Sequence, residues 1–199
     1  MIIIPIGIDC GIATFLKEYN LRTMSLPFDW IMTYKGVFNI IKNKFYDFLP
    51  KPSTLTRSTK DIITSEGIRF VHDEFPQNTE KYERRINRFH SLLSSPSSQI
   101  IFFRKGHLIH NHTESNIVNE VDDIIKLDQY LSLEYPNLEY KIILTLSCHQ
   151  CNTPTDTFTH SNKITIYNLS DSSLSIQQYD EKFKETFLKI FNIPIKPIY

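Results

Sequence analysis

The feature that most constrains this chain is its first eleven residues. An apolar run, Ile2 to Ile8, is broken only by Pro5 and Gly7 and then passes through Asp9, Cys10 and Gly11 into a helical pattern from Ile12 to Tyr19. A strand without polar alternation has no face to give to water, so both of its faces must be covered. A buried strand feeding a helix through a short glycine-containing turn is the opening of an α/β unit. The turn would also place Cys10 beside the first free N–H groups of the helix, where a thiolate is stabilised.

The later chain repeats the theme. A helical pattern covers Val37 to Leu49 and stops at Pro50 and Pro52. Residues 51–66, rich in Ser, Thr, Lys and Arg, read as an exposed loop insertion. Gly67 precedes an alternating strand, Ile68 to Asp73, that ends in the polar groups His72 and Asp73. Thr79 caps a helix from Glu80 to Leu93. Ile100 to Phe103 is a second buried run ending at Arg104, and a helix is expected over 115–134. Tyr140 to Leu146 and Lys163 to Leu169 read as further strands around a polar loop at 147–162, and a last helix covers Asp180 to Phe191. Strands alternating with helices of this length predict one α/β domain over 1–199. It would have three layers: a mainly parallel sheet with helices on both faces, Rossmann-like or SGNH-hydrolase-like. Ligands of such sheets bind at the carboxyl ends of the strands. That rule would bring Asp9 and Cys10, His72 and Asp73, Arg104, and Ser147 to His149 to one edge.

Composition narrows the function classes. The 22 Lys/Arg balance 22 Asp/Glu, which argues against nucleic-acid or membrane-surface binding. Residues 1–106 carry 15 Lys/Arg against 10 Asp/Glu, and 107–199 carry 7 against 12, so the first half would present a modestly basic site. No stretch reaches the length of a transmembrane helix, and no basic segment precedes the first apolar run, so neither membrane span nor signal peptide is expected. Three cysteines without framework spacing fit a reducing compartment, and a cytoplasmic location is expected.

Two groups of residues carry chemistry. A nucleophilic cysteine needs a base, and the base needs an orienting group. Cys10 supplies the thiol, His72 the imidazole, and Asp73, Asp29 or Asp9 an acid. The helix N–H groups near Gly11 and Ile12 would form an oxyanion hole. Arg22, Ser25 and Trp30, the only tryptophan, flank Asp29 and would line the substrate site, and Arg104 would clamp a carboxylate or phosphate. If Cys10 is instead a small buried hydrophobe, the same edge is a binding module in which Arg22 and Arg104 grip an anion such as a sugar phosphate. His107, His110 and His112 crowd one loop, and Cys148, His149, Cys151 and His160 another. Their spacing matches no standard zinc pattern, so no metal or cofactor is expected, and a zinc-holding interaction protein is the third alternative.

The pattern Ile6-Gly7-x-Asp9-Cys10-x-x-Ala13-x-x-Leu16, followed by Leu21-Arg22-x-x-Ser25-x-Pro27-Phe28-Asp29-Trp30-Ile31, resembles a family of unknown function labelled as papain-like cysteine peptidases. Its members occur in bacteria and large DNA viruses, often near surface-polysaccharide genes. The later landmarks His72-Asp73, Arg84-Arg85-Ile86-x-Arg88-Phe89 and Ile101-Phe102-Phe103-Arg104 extend the resemblance over residues 2–146. It implies Cys10 as nucleophile and His72 as base. In papain-like enzymes the cysteine starts a central helix and the histidine lies on an antiparallel sheet. Here the cysteine follows a buried first strand, as the nucleophile does in flat SGNH-type hydrolases. The start is also similar to the Gly-Asn-Cys opening of a capsule-biosynthesis family linked to acyl transfer, with Asp9 in place of Asn. These likenesses imply a cysteine-dependent hydrolase or acyltransferase acting on an amide, ester or thioester of a small molecule, glycan or peptide.

Overall fold

A computed structural model describes residues 1–51, 59–95, 98–106, 119–146, 157–169 and 175–194. In chain order the elements are β1 (Ile2–Pro5), α1 (Gly11–Glu18), β2 (Met32–Thr33), α2 (Phe38–Lys42), β3 (Ile62–Ile63), β4 (Ile68–Phe70) and α3 (Thr79–Ser94). There follow β5 (Ile100–Lys105), α4 (Glu120–Glu134), β6 (Tyr140–Leu146), β7 (Thr157–Thr159), β8 (Ile164–Asn168) and α5 (Ile176–Ile190). The main sheet has the order β1-β5-β6-β8-β7. Its first four members run parallel, with Ile4 opposite Phe102, Phe102 opposite Ile142 and Ile142 opposite Ile164, while β7 closes the edge antiparallel to β8.

The apolar runs become these four parallel strands because successive side chains point to opposite faces and both faces are covered. Ile3, Ile101, Phe103 and Ile143 pack against Ile12 and Leu16 of α1 and Phe183 and Phe187 of α5. Ile4, Phe102, Ile142, Leu144 and Ile166 pack on the other side against Ile40, Phe89, Ile124 and Leu127 of α2, α3 and α4. The result is the expected three-layer α/β fold, each fully buried side chain contributing about 1.5–3 kcal/mol.

Three expectations need correction. The strand before His72, β4, is not in the main sheet. It pairs antiparallel with β2 and β3 in a separate three-stranded sheet, so His72 and Asp73 do not end a strand of the parallel array. The cause is legible in Ile68-Arg69-Phe70: an alternating strand with half-exposed Arg69 suits a sheet with one wet face, not a doubly covered one. The stretch read as an exposed loop contributes β3 to that sheet, though residues 52–58 lie outside the described region. The helix expected to run to Leu49 ends at Lys42, because Lys44, Phe45 and Asp47 take positive φ (52°, 63° and 57°). Phe45 thereby turns inward against Phe28, Phe48 and Phe89. Smaller shifts occur elsewhere. Asn78, not Thr79, precedes the first turn of α3, β5 runs on through Arg104 and Lys105, and part of the loop after β6 is strand β7.

The small sheet is fastened to the main one at its carboxyl edge. Asp123 of α4 accepts from the backbone N–H of Val37 (2.8 Å) and Phe38 (3.3 Å), capping α2. Gly36, at φ +79°, lets the chain pass so close that a Cβ there would lie 2.4 Å from Asp123 Oδ1. Gly36→Ala combines a left-handed backbone with that clash. Its expected cost is about 2 kcal/mol or more of folding free energy, checked by the urea midpoint of the variant against the parent protein.

Candidate active site

The carboxyl edge of the parallel sheet is where charge and chemistry meet. β1 continues past Pro5, with the Ile6 N–H donating to Phe103 O at 2.9 Å, and then turns through Asp9 and Cys10 into α1. Asp9 Oδ1 accepts the Gly11 N–H at 2.8 Å, closing the turn. A Cβ on Gly11 would meet that oxygen at 2.9 Å and the Lys105 ammonium at 3.7 Å, so the close approach requires glycine. Cys10 is half-buried at the helix N-terminus, and Thr14 donates to its carbonyl through both N–H and Oγ1, each at 2.9 Å.

Lys105 completes this corner. It lies on the α1/α5 face of β5, next to Arg104 on the opposite face, and is 5% exposed. Its Nζ sits 3.2 Å from Asp9 Oδ2 and 3.5 Å from Asp180 Oδ1, and 4.9 Å above the Phe183 ring. A buried ammonium needs such partners, because desolvation without them costs several kcal/mol. Burial pushes the Cys10 thiol above its ordinary pKa and the Asp9 carboxylate adds to this. Its own backbone N–H and the Lys105 ammonium pull the other way without reversing it. Burial thus works against the thiolate that the helix N-terminus would favour.

Arg104 is not a substrate clamp. It is fully buried, and its guanidinium is paired with Glu120 through Nε–Oε2 (2.6 Å) and Nη2–Oε1 (2.8 Å). Nη1 donates to Ile6 O (2.8 Å) and Thr33 Oγ1 (2.7 Å), and Thr33 Oγ1 in turn donates to Gly7 O (2.8 Å). Its donors hold the edge of β1, the small sheet and α4 together, leaving Arg22 without its expected companion in anion binding.

The other predicted residues gather around the segment before β2. With Ile68 opposite Thr33, β4 runs alongside β2 towards Trp30, and the His72 ring stands edge-on to Trp30 at 6.3 Å. The Arg22 guanidinium lies 5.5 Å from the Trp30 ring, donates to Ser25 Oγ at 3.0 Å and is paired with Asp29. Asp29, 1% exposed, also accepts the Leu26 N–H at 3.1 Å, and burial raises its carboxyl pKa against the pull of Arg22. Asp73 is paired with Lys81 and accepts from Tyr82 Oη at 2.7 Å; burial alone would raise its pKa, but these partners hold it below the usual carboxylate range. Among the described residues, neither Asp29 nor Asp73 hydrogen-bonds His72, and no hydrogen bond joins Cys10 to His72.

Lys105 escaped the reading of the sequence because it closes an apolar run, where a charge marks the exit to solvent. The signal was Arg104-Lys105 as a pair: two cations on opposite faces of one strand end cannot both leave a covered sheet. His107, His110, His112, Cys148, His149 and Cys151 lie outside the described residues. Among the described residues no cluster could hold a metal ion, and no helix is long and apolar enough to cross a membrane.

An uncharacterised protein of Acanthamoeba polyphaga mimivirus is 33% identical over 134 residues, covering 51% of this chain and 60% of that protein. The chain thus matches about three fifths of that relative's length. No solved structure matches. Residues 1–75 and 69–151, spanning the Cys10 turn, the small sheet, α3, β5 and β6, match the family described as "Putative papain-like cysteine peptidase", and the chain belongs to that family.

Proposed function

We propose that this protein is a cysteine-dependent hydrolase or acyltransferase in which Cys10 attacks an amide, ester or thioester carbonyl. The observation that carries the reading is the placement of Cys10 at the start of α1 on the carboxyl edge of the parallel sheet, with Lys105 beside it and Asp9 between them. Attack by sulfur forms a thioester and expels an amine, alcohol or thiol, and water or an acceptor hydroxyl then takes the acyl group. During attack the thiol proton passes to His72, the base that the family pattern implies, and from there to the departing amine, alcohol or thiol, while the Lys105 ammonium stabilises the negative charge that develops. With Gly11 N–H engaged by Asp9, the donors left for an oxyanion are the N–H groups of Ile12 and Ala13. In this reading His72, whose ring stands beside Trp30, comes within reach of the Cys10 thiol when substrate is bound. The substrate class is a small molecule, glycan or peptide, and the site of action is the cytoplasm.

Cys10 reactivity tests the electrostatics. Alkylation by iodoacetamide, followed at the Cys10 peptide by mass spectrometry, should rise with pH around a midpoint above the ordinary thiol value of about 8.5. Asp9→Asn removes a neighbouring negative charge and should lower the midpoint. Lys105→Met removes a positive charge and should raise it. A midpoint that neither substitution moves would separate Cys10 from this charged corner.

A further inference from the structure

The strongest feature outside the Cys10 corner is the set of cations that α3 brings against the segment before β2. Lys81, Arg85 and Arg88 are spaced along one side of α3, four and three residues apart. Arg88 Nη1 donates to Ser25 O at 2.7 Å, and Arg22 reaches the same residue through Ser25 Oγ at 3.0 Å. Arg85 is 7% exposed, with its guanidinium 5.0 Å from the Tyr82 ring, and it acts on both Asp29 and Asp73 through space. It forms no ion pair with either, and its buried Nη1 has no acceptor among the described residues. The buried Nε of Arg22 also lacks one.

This is unlike the other buried cations among the described residues. Arg104 has Glu120, and Lys105 has Asp9 and Asp180. An unpaired buried guanidinium donor costs about 1–3 kcal/mol, more for a charged group, unless something completes it. Four cations, Arg22, Lys81, Arg85 and Arg88, surround two carboxylates, Asp29 and Asp73, leaving an excess matched by a dianion. Exposed Arg88 and His72 and half-buried Trp30 border the cluster. Beside Arg22 and Ser25 an open groove of about 330 Å³ continues along Leu16, Lys17, Asn20 and Met24.

We propose that this cluster is a binding site for the phosphate monoester of a small ligand. Arg85 and Arg22 supply the donors now lacking acceptors, Arg88 forms the entry, and Trp30 and His72 offer ring faces to the rest of the ligand. Guanidinium groups suit the task because their fixed fork of donors matches phosphate oxygens. The site does not depend on Cys10 being catalytic.

Trp30, the only tryptophan, lies 5.5 Å from the Arg22 guanidinium and gives a direct optical readout on the full chain. Titration with inorganic phosphate, and in a second arm with glucose 6-phosphate, should change Trp30 emission saturably, with sodium chloride at matched ionic strength giving no such change. Arg85→Gln and Arg88→Gln should each weaken the apparent affinity by about tenfold or more. Arg84→Gln, on the outer side of α3 beside Glu80, should leave it unchanged. Arg88 is exposed, so that variant keeps its fold and remains decisive if Arg85→Gln does not. An emission change that follows ionic strength alone, or one that persists undiminished in folded Arg88→Gln, would overturn the proposal.

Discussion

Glu120→Leu should cost this protein about 3–5 kcal/mol of folding free energy. The substitution removes the Glu120 acceptors of the Arg104 Nε and Nη2 donors, leaving Nη2 only Thr33 O at 3.4 Å, and the Arg104 side chain has no exposure through which water could replace them. A total stability of about 5–15 kcal/mol is usual for a domain, so this single change would consume a large part of it. Arg104 also holds Ile6 O and Thr33, so the loss should spread to the small sheet and to the turn carrying Cys10. Urea unfolding followed by Trp30 fluorescence measures the effect. The paired variant Arg104→Met with Glu120→Leu should be more stable than Glu120→Leu alone, since it no longer buries an unmatched charge. A loss below about 1 kcal/mol for Glu120→Leu would place the pair among solvent-exposed bridges and contradict the sealed edge.

Cys10→Ala should reduce turnover of an activated thioester by about a thousandfold or more, with urea stability nearly unchanged. Cys10 is half-buried and its side chain caps no helix N–H, so little packing is lost when sulfur is removed. Lys105→Met should fall between the parent and Cys10→Ala in kcat, because it removes charge beside the reacting sulfur without removing the nucleophile. Steady-state rates on one thioester, measured for the three proteins under the same conditions, separate these outcomes. Retained turnover in Cys10→Ala would move the chemistry away from this residue.

The parallel strands were legible because Ile2–Pro5 and Ile100–Phe103 are runs of buried side chains with no wet face, Tyr140–Leu146 is broken only by exposed Lys141, and Ile164–Asn168 alternates buried and half-buried residues. The small sheet was not. Its strands have two or three residues, too few for alternation to declare a partner, and pairing of Met32 with Arg69 depends on a connection through α2 that no local pattern encodes. The early end of α2 was hidden for a similar reason. Phe45 and Phe48 keep helical spacing in sequence, yet tertiary packing of their rings takes the chain through positive φ.

The candidate site was legible in its position more than in its partners. A strand-turn-helix with Asp9-Cys10-Gly11 at the bend located the corner, and the parallel sheet covered on both faces made its carboxyl edge the place to look. Arg104 pairs with Glu120 across sixteen residues of chain, a relation that spacing does not reveal, and so a structural pin resembled a ligand clamp. His72 and Asp73 were assigned to that edge by counting β4 in the parallel sheet, whereas β4 pairs with β2 and β3 in the small one. The papain-like description finds a partial echo here, since Cys10 starts a helix and His72 follows an antiparallel strand, but that helix packs on the parallel sheet while the strand belongs to the small one.

The central claim is that Cys10 carries acyl chemistry at the edge of the parallel sheet. It is tested most directly by mixing the protein with a chromogenic thioester or aryl ester, quenching in acid and locating any acyl group by peptide mass spectrometry. The predicted result is one acyl group on the Cys10 peptide, appearing with release of the leaving group and absent in Cys10→Ala. Acylation spread equally over Cys148 and Cys151, or the same amount of acyl group in Cys10→Ala, would contradict it.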